Sequence, residues 1–421
     1  MHKGRSDKSF ALYWILAATL KLRQGKTPMA QSYSKEALFE RAEALVPRLR
    51  ERAVATNNAR SVPAETIKDY WDDDLFYLLK PKKHGGPEVR VDTNFEVASV
   101  LAKGDGSAAW VWTIMGVHDL FMALFPEKAQ HEYWANDRTL SASSFAPFGR
   151  VTEVLGGLKL NGKWGFCSGI DHAQWMILAA FARMLSQDPP IPDIRYCLVP
   201  KSDVKVVDDW YVLGLQGTGS KSCVVEDLFV PEHRTVTNFD LTEGKSPGSR
   251  LYDSPLYKTP VWAIFPFCIS SVAPGIVKGA VEAFVGEMKV RASQFDHSPL
   301  SRKATIHARL AEASALADAA ELLYQRSLHE TIDKIMRGER LSLEHRVRSR
   351  RDQAYAIQMG RRACELLQGA QGGGGIFNHS HVQRCSRDLA GVAAHIAGNW
   401  DMPAINYGQV ILGGPPADPI F

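Results

Sequence analysis

The hydrophobic pattern of this 421-residue chain changes its period twice, and this change constrains the fold more than any other feature. From Ser34 onward apolar residues recur at helical spacing, and the same pattern returns after Ser254. Between these regions, short apolar or alternating runs bounded by Gly, Pro, Asp and Ser indicate strands. The chain is therefore predicted to be mainly α-helical, with three domains: a helical N-terminal domain (29–140), a central β domain (141–253) and a C-terminal helical bundle (254–421).

The central β domain is predicted from five short segments. Leu158–Trp164 alternates around Asn161-Gly162, a pair that is typical of a β-hairpin turn. The other four predicted strands are Trp175–Phe181, Ile194–Val199, Val204–Val207 and Cys223–Val230. We expect them to form a small β-barrel or sandwich. Strands do not alternate with helices and no GxGxxG opens a helix after a strand, which argues against a Rossmann nucleotide site.

Charge and cysteine content exclude several classes of protein. The net charge of +4 is too small for a nucleic-acid binder unless it is clustered. One basic cluster exists, and we interpret it as a solvated helix face or a subunit contact: Arg346, Arg348, Arg350 and Arg351. The six cysteines form no CxxC pair, which argues against zinc, iron–sulfur clusters and disulfides. A reducing cytoplasm fits this composition best.

Residues 1–28 are treated as an extension of uncertain status. The apolar run Ala11–Leu20 is too short to span a bilayer, and no small-residue cleavage pattern follows it. Met29 precedes an ordinary amphipathic helix. We therefore expect no membrane span in this segment and leave it out of the functional argument.

Six local motifs carry a resemblance to a known family. They are Trp110–His118 (WVWTIMGVH), Ser141–Gly149 (SASSFAPFG), Trp164–His172 (WGFCSGIDH), Trp210–Ser220 (WYVLGLQGTGS), Phe229–Arg234 (FVPEHR) and Gln383–Asp388 (QRCSRD). With the order of helices and strands, this set resembles the oxygenase components of two-component flavin-dependent monooxygenases, which have the acyl-CoA dehydrogenase fold. The similarity runs from about residue 35 to the C-terminus.

The resemblance implies a cofactor, partners and a reaction. Reduced FMN or FAD would be supplied by a separate NAD(P)H-flavin reductase and would react with dioxygen to form a C4a-hydroperoxide. This species would hydroxylate a small aromatic substrate, a phenol or an indole. The family also implies a homotetramer. Side chains alone cannot activate dioxygen, and no metal-binding pattern is evident, which agrees with an organic cofactor.

Three residues match the family's catalytic positions. His395 matches an active-site histidine on the last helix and would act as a general base on a phenol, since its ordinary pKa is near 6.5. His118 matches a second histidine, which would bind the substrate hydroxyl. Ser144 matches a hydroxyl near the flavin N5, with Ser143 as an adjacent possibility. Structural alternatives remain open: both histidines could be core residues, and the serines could be turn formers before Pro147.

Further residues match positions that hold the flavin. Trp110 and Ser168 would line the ring, although Trp110 could equally fill the core. For the phosphate end the candidates are Gly217, Thr218, Ser220 and Arg291. The loop Gly369–Gly375 resembles a region that approaches the flavin tail from a neighbouring subunit, and its candidates are Gly372, Gly373 and the following Gln383.

Departures from the family pattern bear on the substrate. No glutamate lies close to His395, which disfavours an acyl-CoA dehydrogenase because that reaction needs a carboxylate base. Trp262 replaces an arginine and Ala397 replaces an aromatic residue, so we expect a less polar pocket and a neutral ring as substrate. Oxygenation of sulfur or nitrogen, which needs no deprotonation, is the competing function.

Overall fold

The computed structural model describes residues 32–186, 190–294 and 296–417. The predicted extension, residues 1–28, lies outside the described residues. The first part of the described chain consists of five α-helices: α1 (Lys35–Ala59), α2 (Ala64–Asp72), α3 (Val91–Ala102), α4 (Gly106–Met122) and α5 (Glu127–Tyr133). The order of helices, strands and helices is as predicted, and we keep the domain boundaries as a proposal.

Helix α4 is the central helix of this first part. It begins at Asp105, whose carboxylate accepts the backbone N–H groups of Ser107 and Ala108 and so caps the helix. Every residue of α4 is buried, which is the pattern of a helix packed on all sides. Because Trp110 and His118 both lie on α4, their positions are fixed by the protein core.

Within the described residues, seven strands form one sheet in the order β5-β6-β2-β1-β3-β4-β7. In this sheet β1 and β3 pair in parallel, and the other neighbours are antiparallel. The strands are β1 (Ser141–Val154), β2 (Gly157–Trp164), β3 (Trp175–Leu185), β4 (Ile191–Pro200), β5 (Lys205–Val207), β6 (Ser222–Pro231) and β7 (Thr235–Thr237).

The prediction of a turn at Asn161-Gly162 is wrong. Both residues lie inside β2, and the β1–β2 turn falls at Leu155-Gly156, where Gly156 has φ +80°. A Cβ at Gly162 would come within 2.7 Å of the Gly149 Cα and 2.8 Å of the Trp164 ring. Glycine is therefore needed at this position for close packing within the sheet rather than for a turn.

The chain returns to helices after β7. These are α6 (Asn238–Glu243), α7 (Pro266–Ser270), α8 (Val272–Val290), α9 (Ala304–Met336), α10 (Leu343–Ala370), α11 (His381–Ala394) and α12 (Asp401–Ile411). Among the described residues, the segment Val261–Val290 is long and apolar enough to cross a membrane, but it is mostly buried inside the protein. It therefore serves here as a core segment of the helical bundle.

His395 lies at a different position in the helical bundle from the one predicted. His395 was predicted on the last helix, but it is the C-terminal cap of α11, with ψ 141°, and α12 follows it. The carbonyl of His395 accepts the N–H groups of Gly398 and Asn399, which forms a tight turn. A Cβ at Gly398 would lie 2.1 Å from the Val392 carbonyl oxygen, so this turn requires glycine.

Candidate active site

A chain of hydroxyl groups lies beside the indole of Trp110. The indole Nε1–H donates to Ser168 Oγ at 3.0 Å, and Ser168 lies 2.7 Å from Ser220 Oγ. Ser220 is in turn 2.7 Å from Thr218 Oγ1, whose hydroxyl donates to the Leu215 carbonyl at 2.8 Å. Each hydroxyl has one proton, so the bonds must run in one direction, from Trp110 to Leu215. The structure thus brings together the predicted residues Trp110, Ser168, Thr218 and Ser220.

Gly217 is held by packing next to this chain. A Cβ at Gly217 would come within 2.4 Å of the Thr56 side chain on α1 and 3.0 Å of Ser107. The loop is also tied to the strands, because the Gly169 N–H donates to the Thr218 carbonyl at 3.0 Å. Gly217 therefore allows the loop to approach the helices closely, while its predicted role toward phosphate stays a prediction.

His118 is fully buried and has both ring nitrogens engaged. Nδ1 lies 2.9 Å from the Ser141 carbonyl oxygen, so Nδ1 carries the proton and donates it. Nε2 then accepts from the Ser143 hydroxyl at 2.9 Å. Burial lowers the pKa of His118 to about 4, so the ring is neutral at neutral pH. The structure places two hydroxyls on the His118 ring, that of Ser143 at 2.9 Å from Nε2 and that of Ser141 at 3.1 Å from Nδ1.

Ser144 lies on the opposite side of β1 from the His118 contacts. Ser141 and Ser143 both contact the His118 ring, and side chains alternate along a strand. Ser144 is only 6% exposed, and its hydroxyl makes no hydrogen bond within the described residues. Its hydroxyl is therefore available for a ligand.

His395 approaches Trp110 from the other side of the site. The two ring centroids are 5.7 Å apart in an edge-to-face arrangement. The Ala397 N–H donates to His395 Nδ1 at 3.0 Å, so the neutral ring must carry its proton on Nε2. Burial, together with the positive charge of Arg350, lowers the pKa of His395 to about 4. In this state His395 offers an N–H donor and has no free lone pair.

The three proposed catalytic residues do not share one contact group. His395 contacts Trp110, and His118 contacts Ser143. Within the described part of the chain, no hydrogen bond or ring contact joins Ser144 to either histidine. Their shared catalytic role therefore stays a prediction, and the tautomer of His395 favours a hydrogen-bond donor over the predicted general base.

A second cluster contains the candidates for the flavin tail. Arg291 forms an ion pair with Glu287 and bonds to the Gln371 carbonyl at 3.4 Å. Its guanidinium packs on the glycine-rich loop, where a Cβ at Gly374 would lie 2.8 Å from Nη2. Gly372, with φ +60°, and Gly373 are exposed in this loop, and Gln383 accepts from Arg387. Because Glu287 already neutralises Arg291, this arginine fits a phosphate less well than predicted.

Sequence reasoning missed an aromatic cluster around Phe145, on the face of β1 that also contacts His118. Phe145 stacks on Phe121 at 4.8 Å and meets the rings of Tyr196, Trp262 and Phe265 at 5.5, 5.9 and 4.9 Å. These residues come from α4, β1, β4 and the segment before α7, so no local pattern could have revealed the cluster. It forms an apolar wall suited to an aromatic ring.

The donor set around Trp110 fits a flavin ring. Isoalloxazine needs an apolar face to pack against and hydrogen-bonding groups along its polar edge. Trp110 supplies the first, and the hydroxyl oxygens of Ser168 and Ser220, whose protons are donated along the chain, remain able to accept a hydrogen bond beside it. His395 adds one N–H donor near the same indole. The residues present are therefore suited to this cofactor.

Comparison with known families first defines the class of protein. Residues 267–400 match the family described as "Acyl-CoA dehydrogenase, C-terminal domain". The crystal structure of 3-HSA hydroxylase from Rhodococcus sp. RHA1 superposes with a TM-score of 0.85 at 32% identity, covering 93% of this chain and 100% of that one. XiaF from Streptomyces sp., solved with FADH2 and glycerol, gives a TM-score of 0.82 at 26% identity, covering 96% and 99%. The predicted acyl-CoA dehydrogenase fold is confirmed.

Sequence relatives then define the family within that class. The oxygenase component of the FADH(2)-dependent resorcinol hydroxylase of Rhizobium sp. (strain MTP-10005) is 34% identical over 401 residues, which are 92% of this chain and 97% of the relative. The chain therefore belongs to the oxygenase components of flavin-dependent monooxygenases. This membership confirms the predicted enzyme class and the reduced flavin cofactor.

Proposed function

We propose that this protein hydroxylates a phenol, using reduced flavin and dioxygen. The observation that carries the proposal is the position of His395, whose Nε2–H is available beside Trp110 and the Ser168–Ser220 hydroxyl chain. One relative is the oxygenase component of a resorcinol hydroxylase, and resorcinol is a phenol. When bound, reduced flavin activates dioxygen and delivers one oxygen atom to the ring.

His395 acts in this proposal by stabilising charge on the substrate oxygen. A phenol attacks an electrophilic oxygen faster after losing its proton, because the phenolate ring is richer in electrons. A hydrogen bond from Nε2–H to the phenolic oxygen favours the ionised form without requiring His395 itself to take the proton. The neutral ring is present over the whole range above about pH 5, because its pKa is about 4.

Hydroxylation also requires that water be excluded from the site, and the apolar wall supports this exclusion. Phe145, Phe121 and Trp262 form this wall on the face of β1 that also contacts His118. A dry site limits wasteful release of hydrogen peroxide, and buried polar groups act more strongly there. We assign Ser144, on the other face of β1, to the cofactor, and His118, through Ser143, to the support of the wall.

The partners belong to the same proposal. A separate NAD(P)H-flavin reductase supplies the reduced flavin. The assembly is a homotetramer, and apolar residues exposed on the C-terminal helices and loops support an association of subunits there: Leu322, Ile376, Phe377, Ile405 and Leu412. We place the enzyme in the cytoplasm, since all six cysteines are free and buried.

A coupled assay tests the proposed reaction. The purified protein, a flavin reductase, NADH and flavin are incubated in air with a panel of phenols and indoles, and products are identified by mass spectrometry. We expect at least one phenol to gain one oxygen atom, and no product when the chain is omitted. Failure to oxygenate any phenol or indole would reject aromatic hydroxylation.

One observation supports oxygenation of sulfur or nitrogen as a second candidate. The Nδ1 lone pair of His395 is occupied by the Ala397 N–H, so the ring is poorly placed to act as a base. Thioethers and amines need no deprotonation, and such a site could oxygenate them. Organic sulfides and hydroxylamine precursors in the same assay would distinguish the two reactions by their products.

A further inference from the structure

The hydroxyl chain beside Trp110 ends at Leu215, and this residue is also tied to the C-terminal helices. The Leu215 carbonyl accepts hydrogen bonds from Thr218 Oγ1 at 2.8 Å and from Trp210 Nε1 at 3.2 Å. The Leu215 N–H donates to Asp388 Oδ1, on α11, at 2.7 Å. Leu215 therefore connects the hydroxyl chain to a carboxylate of the helical bundle.

The backbone of Leu215 has a conformation that must be enforced by its contacts. Its φ is +54°, in the left-handed region, which is unfavourable for a residue with a Cβ atom. Such conformations persist where the surrounding structure holds them, and they cluster at functional sites. If the bond to Asp388 were lost, the loop would relax towards conformations in which the Leu215 carbonyl no longer meets the Thr218 hydroxyl.

The loop before Leu215 lies directly on α11. A Cβ at Gly214 would come within 1.8 Å of the Arg387 carbonyl oxygen, so this close approach requires glycine. Arg387 also donates from Nη1 to the Leu213 carbonyl at 2.9 Å. The bond from Leu215 to Asp388 therefore belongs to a close contact between this loop and α11.

The carboxylate of Asp388 is buried against the first turn of α4. Asp388 is only 2% exposed, and a Cβ at Gly106 would lie 3.1 Å from its Oδ2. The positive end of the α4 dipole favours a negative charge here. Burial, together with the charge of Asp105, raises the pKa of Asp388 to about 7 against the opposing effects of the Leu215 N–H, Arg384 and Arg387. The charge of Asp388 therefore changes close to neutral pH.

Two thiols also lie near this carboxylate, and neither competes with it for protons. They are Cys364 on α10 and Cys385 on α11. Burial raises the pKa of Cys364 above its usual range and that of Cys385 to about 12, so both thiols keep their protons at neutral pH. A pH-dependent change near neutrality at this place is therefore assigned to the carboxylate.

We propose that Asp388 is a positioning residue for the reduced flavin, because it holds Leu215 and thereby the hydroxyl chain that lies along the cofactor. The inference rests on the proposed function, which places the flavin beside Trp110. The ionised carboxylate holds the Leu215 N–H more strongly than a neutral group would, since charge-assisted hydrogen bonds are about twice as strong. A loop that leaves the binding conformation lowers the apparent affinity for flavin by the fraction lost.

Two substitutions at position 388 test this role. Asp388→Asn keeps an oxygen that can accept the Leu215 N–H but has no charge, and Asp388→Leu has a similar shape and no acceptor. The dissociation constant of reduced FMN and of reduced FAD is measured by anaerobic equilibrium dialysis at about pH 8.5. We expect Asp388→Leu to weaken binding about 10- to 100-fold and Asp388→Asn only about three- to fivefold.

The pH dependence of Asp388→Asn provides a readout that a merely structural role would not move. The dissociation constant of this variant is divided by that of the unaltered protein, so that titration of the free flavin cancels. The unaltered protein should lose affinity as the pH falls through about 7, because Asp388 takes up a proton, whereas asparagine does not titrate. The ratio should therefore fall from about three to five at about pH 8.5 to about one at about pH 5.5.

Asp352 provides matched control variants. It is a carboxylate on α10, 1% exposed, and it is paired with Arg326 and Arg351. Asp352→Asn and Asp352→Leu should lower the urea midpoint of unfolding but bind reduced flavin as the unaltered protein does, with no change of the ratio with pH. Circular dichroism and elution volume establish that each variant is folded.

The outcomes separate this inference from the proposed function. Equal flavin affinity of Asp388→Leu and the unaltered protein would overturn the inference, as would a ratio for Asp388→Asn that does not change with pH. The second result decides the matter if Asp388→Leu does not fold. Normal flavin binding by a protein that oxygenates no phenol or indole would reject the proposed function and leave the role of Asp388 standing.

Discussion

Replacing His395 by alanine is expected to lower the rate of phenol hydroxylation by about 10²- to 10³-fold, the usual contribution of one hydrogen-bond donor positioned to stabilise developing negative charge. The variant loses the Nε2–H that stabilises negative charge on the substrate oxygen, while the Trp110 and Ser168 contacts remain. Consumption of reduced flavin should continue and release hydrogen peroxide instead of product. Product formation and peroxide are measured together in the reductase-coupled assay.

A second substitution distinguishes a donor from a general base at this position. His395→Gln keeps an N–H donor but cannot take a proton near neutral pH. If His395 acts as a donor, as the bond from Ala397 indicates, the glutamine variant should retain a rate within about tenfold of the original. If His395 is a base, glutamine and alanine should be equally poor. His379→Ala, at an exposed histidine, is the control and should react normally.

Full activity of His395→Ala on the true substrate would contradict aromatic hydroxylation assisted by His395. That result would favour oxygenation of sulfur or nitrogen, because those substrates have no proton to lose.

Replacing Ser144 by alanine should lower the yield of product per reduced flavin about tenfold and raise peroxide release by the corresponding amount. Ser144 has no hydrogen-bond partner within the described residues, so its hydroxyl is available to the cofactor. For the same reason the folded state loses no internal hydrogen bond, and the urea midpoint of unfolding should stay unchanged. The yield is measured as product against NADH consumed.

Ser143→Ala is the matched control for that experiment. It removes the hydroxyl that donates to His118 Nε2 and leaves a buried acceptor without its partner. We expect a loss of about 1–2 kcal/mol in the free energy of unfolding, with a smaller effect on yield. The opposite result, a normal yield for Ser144→Ala and a collapsed yield for Ser143→Ala, would transfer the proposed role to Ser143.

Local sequence patterns predicted the elements of this fold well. The four runs beginning at Trp175, Ile194, Val204 and Cys223 all fall within or overlap strands β3 to β6. Each pattern depends on alternation or an apolar run within the strand itself, so tertiary contacts were not needed to recognise it. The prediction of a turn at Asn161-Gly162 was wrong because glycine is required at position 162 by tertiary packing. Gly162 packs closely against Trp164 and Gly149, and a local sequence pattern does not show such a contact.

The hydrogen bonds and side-chain orientations of the candidate site were harder to predict from the sequence. Family motifs pointed to Trp110, Ser168, Thr218 and Ser220, and the structure joins them in one hydrogen-bonded chain. The tautomer of His395 depends on a backbone N–H two residues away, in a turn that no side-chain pattern encodes. The inward orientation of Arg350 follows from how α10 packs, which the charge pattern alone did not reveal.

Binding of reduced flavin tests the central claim most directly, because every proposed role depends on that cofactor lying beside Trp110. Under strict exclusion of oxygen, the purified protein is titrated with reduced FMN and reduced FAD by equilibrium dialysis, and the oxidised forms are titrated in parallel. We predict saturable binding of at least one reduced flavin, tighter than its oxidised form and weakened by Ser168→Ala. No affinity for either reduced flavin would contradict the account.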